Sequence, residues 1–296
     1  MKKEELWRLG HMIVRELPSY YFERMEKAAE ALGLKTPIWL PLTAAYTFLP
    51  DPISVDRMRV RSPYTSPDFF SERFNGLQEG GFLAPSALGG YSLSDSGISA
   101  TRTIMSAAYE GMREISVLEV DEMRSLAHAL GRLVQVCMIH GPSISKWSLI
   151  YSRRLDGAPE DAYTAKLDQY LSDLASYRDD AHLASWCHHD IGGHAWDVLT
   201  AIWREDPTTI NEVRERLERR QWSQAQTEEA IKELRGRTWI EGSEKLAVTE
   251  LGKQIRDEAE SLTNHYFYVP WASADQRDLE TMSNLLRRLA AKLDIE

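Results

Sequence analysis

The 296-residue sequence contains only two cysteines, Cys137 and Cys187, and no long run of apolar residues. Two cysteines are too few for the disulfide framework of a small secreted domain. No apolar segment approaches the roughly 18 residues that a membrane span needs, and the charged N-terminus lacks the apolar core of a signal peptide. We therefore expect a cytoplasmic protein with free thiols and no membrane partner.

The sequence also lacks an excess of positive charge: 35 Lys and Arg stand against 45 Asp and Glu, a net charge of −10. Such an acidic chain does not carry the overall electrostatic signature of a nucleic-acid binder, although a local basic patch remains compatible with it. The apolar content of 43%, with 9 Trp and 12 Tyr, is that of a folded protein with a sizeable core. The length predicts about two domains.

Two segments of the chain show the same order of predicted elements. In residues 37–115, short helices are followed by two short strands, Phe82-Leu83 and Tyr91-Ser92-Leu93, and by a helix that begins at Ser94. Helices, a two-stranded hairpin and a closing helix are the order of a winged helix, which is a helix-turn-helix variant. The same order returns in residues 191–271.

Four landmarks occur in both segments at a constant offset of 155 residues. They are Asp51-Pro52 and Asp206-Pro207, Gly81 and Gly236, Leu93-Ser94 and Val248-Thr249, and Gly97 and Gly252. Four landmarks in one register predict an internal duplication of a winged-helix unit. The predicted fold class is mainly α, with two winged-helix (helix-turn-helix with β-wing) units related by internal duplication and packed around a helical middle segment.

The predicted organisation has five parts. They are N-terminal helices at residues 1–36, a first winged-helix unit at 37–115, a helical middle at 116–190, a second unit at 191–271 and a C-terminal helix at 272–296. The N-terminal helices either join two copies into a homodimer or pack on the chain's own core, and the sequence leaves both open.

The main helix of the middle segment carries an apolar stripe that turns polar. Leu167, Leu171 and Leu174 share a face, and the next positions on that face are Arg178 and His182. The neighbouring faces carry two aspartates. Because buried charge is costly unless it is paired, we expect these polar side chains to satisfy one another or to hold a ligand.

From Arg178 onward the sequence resembles the SalK-like helix-turn-helix family, over about residues 170–271. The motifs are Arg178-Asp179-Asp180-Ala181-His182, Arg220-Gln221-Trp222-Ser223, the spaced residues Thr249, Gly252, Arg256, Asp257, Glu260, Thr263 and Asn264, and Pro270-Trp271. The family pattern of the first motif is Arg-Gly-Asp-Gly-His, so Asp179 and Ala181 replace two glycines here, and Asn264 replaces a usual Asp. The resemblance implies a helix-turn-helix fold and regulatory roles.

The polar residues of these motifs form one candidate ligand site. It comprises Arg178, Asp179, Asp180, His182, Arg256, Glu260, Thr263 and Asn264. Three interpretations remain open: a structural polar network, a pocket that senses a small molecule, and an active site in which Asp179 or Asp180 orients His182 as general base. No nucleophile motif, phosphate-binding loop or metal-ligand spacing accompanies them, so we expect neither a cofactor nor a metal.

The candidate DNA contacts lie in and before the third helix of the second unit. They are Arg219, Arg220, Gln224, Gln226 and Thr227. That helix is net acidic, and the arginines before it alternatively pair with nearby glutamates. The leading interpretation is a winged-helix regulator-like protein that senses a small molecule and acts on DNA or a protein partner. The alternative is an enzyme built on the same scaffold.

Overall fold

The computed structural model describes residues 3–35, 39–115, 117–142, 144–155, 157–205 and 208–295. The helices in these residues are α1 (Lys3–Glu16), α2 (Pro18–Ala31), α3 (Leu40–Phe48), α4 (Val55–Arg61), α5 (Pro67–Glu79), α6 (Asp95–Arg113), α7 (Val120–His140), α8 (Trp147–Arg153), α9 (Tyr163–Trp186), α10 (Gly193–Arg204), α11 (Ile210–Leu217), α12 (Gln224–Gly236), α13 (Glu250–Tyr268) and α14 (Gln276–Lys292). The strands are β1 (Leu83–Pro85), β2 (Tyr91–Leu93), β3 (Thr208–Thr209), β4 (Ile240–Glu241) and β5 (Lys245–Val248). The fold is therefore mainly α, as predicted, and none of the described helices is long and apolar enough to span a membrane.

Apolar side chains form three separate core clusters. The central cluster joins α1, α7, α14, much of α9 and the end of α13. A second cluster lies among α2–α6, and a third among α10–α13 and the end of α9. We call α3–α6 the first unit and α10–α13 the second unit, since each surrounds an apolar cluster of its own.

Helix α1 packs on the central cluster. Leu6 and Ile13 are buried, and the Trp7 ring meets Phe267 of α13 with 4.9 Å between centroids. Of the two alternatives for the N-terminal helices, this arrangement supports packing on the chain's own core, because the apolar face of α1 is already covered.

Each unit has a hairpin extended by a short third segment. In the first unit Ile53 forms an isolated bridge with Tyr91, and in the second Thr208 pairs with Leu246. These pairs are again 155 residues apart in sequence. The landmark Asp206-Pro207 itself lies outside the described residues.

The landmark pair Gly81 and Gly236 is not a structural match. The hydroxyl of Ser94 donates to the Gly81 carbonyl, and the hydroxyl of Thr249 donates to the Thr238 carbonyl, each at 2.7 Å. Both carbonyl residues have positive φ, +76° at Gly81 and +60° at Thr238. Thr238 is therefore the counterpart of Gly81. The offset of 155 residues does not hold between Gly81 and Thr238, because the segment before α12 is longer than the one before α5. It holds again after the hairpins, because the second hairpin is shorter than the first.

The turns before α5 and α12 meet each other. The Ser66 amide donates to the Arg220 carbonyl at 2.9 Å, and the Trp222 indole donates to the Tyr64 carbonyl at 2.7 Å. The Trp186 indole at the end of α9 donates to the Tyr64 hydroxyl at 2.9 Å. Tyr64 is thus held at the junction of both units and the middle helix.

Candidate functional site

A cavity of about 330 Å³ opens where α9, α10 and α13 meet α1 and the Tyr64 turn. Six of the eight predicted ligand residues line it. They are Arg178, Asp179, His182, Arg256, Glu260 and Thr263. Residues that are 4 and 7 positions apart share a helix face, so the predicted spacing on α13 brings three of them to one wall.

Arg256 is the most deeply buried charge in this wall, with 1% of its surface exposed. Its Nε donates to the Thr200 hydroxyl at 3.0 Å and its Nη2 donates to Glu260 at 2.8 Å. The guanidinium also lies 5.3 Å from the Trp196 ring and 4.8 Å from the Trp203 ring. Its Nη1 has no hydrogen-bond partner in the part of the chain that the structure describes. A buried cation with an unused donor is costly, so this position favours a negative charge nearby.

His182 contacts the hydroxyl group of Thr263, which is itself hydrogen-bonded to Ser185. Its Nδ1 lies 3.2 Å from Thr263 Oγ1, which also lies 2.7 Å from the Ala259 carbonyl and 3.0 Å from Ser185 Oγ. The Ser185 proton goes to the His182 carbonyl, so Ser185 Oγ can only accept from Thr263. The single hydroxyl proton of Thr263 is therefore donated to Ala259 or Ser185 and not to His182. We assign a proton to Nδ1 of His182, which donates it to Thr263 Oγ1.

The imidazole is neutral at pH 7. The pKa of His182 is lowered to about 4, mainly by burial and then by the positive charge of Arg256, whose effect is larger than the opposing effect of Glu260. Burial alone would raise the pKa of Glu260, but the hydrogen bond and charge of Arg256 leave that pKa below its usual value.

Arg178 stands at the rim. Its Nη1 donates to the Asn264 side-chain oxygen at 3.0 Å, and its Nη2 lies 3.9 Å from Glu260. Asn264 is exposed, and its contact with the site is this hydrogen bond with Arg178. The Arg178 guanidinium has a neutral main partner and only a distant carboxylate.

The adjacent aspartates take different positions. Asp179 lines the cavity, has no hydrogen-bond partner within the described chain, and its pKa is raised to about 6 by surrounding protein atoms and by the charge of Asp180. Asp180 is buried on the other side of α9, where its carboxylate accepts the backbone N–H groups of Ser148 and Leu149 at 2.8 and 2.9 Å. Asp180 therefore caps α8, which differs from its expected place beside His182.

Several lining residues were not predicted, because they come from α1, α10 and the first unit. They are Trp7, His11, Tyr64, Trp196, Asp197, Thr200 and Arg204. No periodicity in the sequence indicates that the polar face of α10 meets α13. The only local hint is the mixture of aromatic and polar residues in that helix.

The lining carries more positive than negative groups. Four arginines, Arg178, Arg204, Arg220 and Arg256, stand against three carboxylates, Asp179, Asp197 and Glu260. The neutral His182 does not change this balance. In a partly enclosed site such an excess attracts an anion.

The predicted DNA contacts do not form one exposed set. Arg220 faces inward, where its Nε donates to Asp197 at 3.0 Å, and Thr227 is buried. The Gln226 side chain caps the Ser223 amide at the start of α12, and Gln224 donates to Glu228. Arg219 is exposed and is the member of the set that is open to solvent without a hydrogen bond in the described residues.

The geometry does not assemble the chemistry that the enzyme alternative requires. Among the described residues, neither Asp179 nor Asp180 hydrogen-bonds His182, whose Nδ1 is paired with Thr263. The same residues contain no group of three or more His, Cys, Asp or Glu side chains placed to hold a metal ion.

Most of this site lies in a segment that matches a known protein family. Residues 99–294 match a helix-turn-helix family. The chain belongs to this helix-turn-helix family. The match includes the middle helices and the whole second unit of this helix-turn-helix protein, and hence most of the cavity wall. Comparisons with curated proteins and with solved structures found no match for it.

Proposed function

We propose that the chain is a cytoplasmic, SalK-like winged-helix regulator that senses a small molecule and acts on DNA or a protein partner through its second unit. One observation carries this proposal: Arg220 belongs to the turn before α12, and its side chain lines the cavity. A ligand in the cavity would therefore touch the turn that sets the position of α12. Family membership supports an action through that helix.

The contacts of Arg220 connect the cavity to both units. Its side chain pairs with Asp197 of α10 and lies 5.3 Å from the Tyr64 ring, while its carbonyl accepts the Ser66 amide. A ligand that contacts this guanidinium in the cavity would shift both turns together. A ligand changes a conformational equilibrium only through contacts that differ between states, and Arg220 supplies such a contact.

The proposed SalK-like assignment is supported by where its motif residues lie. Arg178, His182, Arg256, Glu260 and Thr263 come from two distant motifs and line one cavity. Trp222, from the motif Arg220-Gln221-Trp222-Ser223, stacks on His194 with 4.3 Å between ring centroids, at the junction of the units.

The proposed duplication is supported by hydrogen bonds that recur in equivalent places. The Ser94 amide donates to the Phe82 carbonyl at 3.1 Å, and the Thr249 amide donates to the Trp239 carbonyl at 3.0 Å. The closing helices α6 and α13 both have 19 residues. Equal helix lengths and equal caps are expected if one winged-helix unit was copied.

The charge of the part of the second unit around α12 predicts the kind of DNA binding to expect. Residues 208–249 contain eight Lys or Arg and eight Asp or Glu. Phosphate attraction is therefore weak, and binding would depend on direct contacts with a preferred sequence.

Selection from a random duplex library with the full chain tests the DNA part of the proposal. We expect one sequence class to be enriched, with a shallow salt dependence of its affinity measured by fluorescence anisotropy. Arg219→Ala should weaken binding at least about fivefold, since an arginine contact with a base contributes about 1–3 kcal/mol. Arg102→Ala, which removes an exposed arginine from α6, is the matched control and should leave the affinity unchanged.

Enrichment no greater than that of a protein without a helix-turn-helix would exclude DNA as the partner. An equal loss of affinity in Arg102→Ala would exclude the second unit as the contacting surface.

A further inference from the structure

We infer, on the basis of the proposed function, that the ligand of the cavity is a small organic monoanion whose carboxylate lies among the arginines of α9, α10 and α13. The lining has one guanidinium more than it has carboxylates, so one added negative charge balances it. A guanidinium fork matches the two oxygens of a carboxylate, which makes arginine a suitable partner for this group.

Two arginines are available for such an anion without breaking a hydrogen bond to a carboxylate. Arg204 is exposed at the cavity and has no hydrogen bond or ion pair within the described residues. Arg178 has the neutral Asn264 as its main partner. Glu260 is hydrogen-bonded to Arg256 and reaches Arg178 only at 3.9 Å, and Asp197 is hydrogen-bonded to Arg220, so neither carboxylate is hydrogen-bonded to these two arginines.

Arg256 adds a charge that solvent screens little. It is almost fully buried, and its Nη1 amino group has no hydrogen-bond partner in the described residues. The neighbouring Trp196 indole N–H is also buried without a partner in the described residues. Charge interactions are stronger in such an environment than in water, so a nearby anion offsets the cost of burying both donors.

The size and the walls of the cavity indicate the rest of the ligand. A volume of about 330 Å³ suits a small molecule, and the Trp7, Tyr64 and Trp196 rings line it beside the charged groups. A compact, planar body attached to a carboxylate fits this combination. Benzoate is therefore a suitable probe.

Isothermal titration calorimetry on the full chain compares benzoate with benzamide, benzylammonium and phenyl phosphate. Benzamide has the same shape without charge, benzylammonium carries the opposite charge, and phenyl phosphate carries a second negative charge. We expect benzoate to bind at least about tenfold more tightly than benzamide, and benzylammonium not to bind. Phenyl phosphate should bind less tightly than benzoate, because its second charge has no counterpart.

Arg204→Gln identifies the site without removing a contact that the fold needs. This variant should weaken benzoate about threefold and leave benzamide unchanged, as expected for a partly exposed ion pair. Arg102→Gln on α6 is the matched control and should bind benzoate as the wild type does. Three results would each contradict the proposal that the ligand is a monoanion. They are equal binding of benzoate and benzamide, tighter binding of benzylammonium, and no benzoate binding at millimolar concentration. Tighter binding of phenyl phosphate than of benzoate would show that the site prefers a phosphate to a carboxylate.

Hydrogen exchange separates this inference from the proposed function. With benzoate bound, slower exchange in residues 218–223 and in α12 supports sensing through the turn. Benzoate binding that depends on Arg204 but leaves exchange there unchanged would contradict sensing while the monoanion site stands. Benzamide that binds as tightly as benzoate and slows exchange there equally would keep sensing and overturn the charge requirement.

Discussion

Gly97 and Gly252 are each the third residue of their helix, α6 and α13, and at each a Cβ would stand about 2 Å from the carbonyl oxygen that precedes a hairpin strand. The distance would be 2.1 Å to the Phe82 oxygen and 2.0 Å to the Trp239 oxygen. Both helices therefore approach the start of their own hairpin more closely than any side chain allows. This contact fixes the hairpin of each unit against its closing helix.

Gly252→Ala should destabilise the protein by about 2 kcal/mol or more, since either the helix or the hairpin must move to accept the methyl group. Gly97→Ala should have a similar effect. The control is Gly236→Ala at the end of α12, where an added Cβ meets nothing within 4 Å. Chemical denaturation gives the three free energies of unfolding. A Gly252→Ala variant as stable as Gly236→Ala would contradict the close packing.

Thr238 stores strain that its counterpart Gly81 does not. A β-branched residue at φ +60° is unfavourable, whereas glycine accepts that conformation. Thr238→Gly should therefore stabilise the protein, by up to about 1 kcal/mol, and Gly81→Thr should destabilise it. Thermal unfolding of both variants checks the opposite signs. If both lower the melting temperature equally, the two positions are not equivalent.

Neighbouring aspartates should respond in opposite ways to the same substitution. Asp180→Asn should cost about 1–3 kcal/mol, because one carboxylate now accepts two buried backbone N–H groups at the start of α8. Asp179→Asn should leave stability at pH 7 unchanged or raise it, since Asp179 is exposed at the cavity, makes no hydrogen bond within the described residues, and the charge of the adjacent Asp180 opposes its own. Urea denaturation at pH 7 measures both. A larger loss in Asp179→Asn would contradict these assignments.

The stability of the protein should fall in mild acid partly because of His194. Burial lowers the pKa of His194 to about 4, and both ring nitrogens lack a partner in the described residues. The unfolded state, with a pKa near 6.5, binds the proton first, so the contribution is full above pH 6.5 and is lost as pH falls towards 4. His194→Phe keeps a ring against Trp222 and should be about 1 kcal/mol less destabilised than the wild type on going from pH 7.5 to 5.5. Parallel loss in both proteins would show that His194 is not the source.

Local sequence patterns predicted the helices that carry their own signals. Ser94 and Thr249 are N-cap residues at the predicted helix starts, and leucines at helical spacing predicted α9. Helix α8 carries no such signal, because no side chain in its own segment caps it. Its cap is the Asp180 carboxylate, which lies 32 positions away in the chain.

The candidate site could be predicted only where its residues share a helix. Arg178 and His182 lie on one face of α9, and Arg256, Glu260 and Thr263 on one face of α13, so spacing alone grouped them. Tyr64 and Arg204 reach the cavity through the packing of whole units, which leaves no mark on local sequence. For the same reason the inward turn of Arg220, towards Asp197, could not be read from the chain.

The proton affinity of His182 tests the central claim, an anion in the cavity, most directly. Nuclear magnetic resonance follows the ring signals of His182 between pH 7.5 and 5.0, with and without saturating benzoate. Burial is the main cause that lowers the pKa of His182, the charges of Arg256, Arg178 and Arg204 lower it further, and Glu260 raises it, so the free protein should keep a neutral ring over most of this range, with a pKa of about 4. An added negative charge in the cavity should raise the pKa of His182 while His194, which lies outside the cavity lining, keeps its value. A His182 titration unchanged by bound benzoate, or equal shifts in both histidines, would contradict the account.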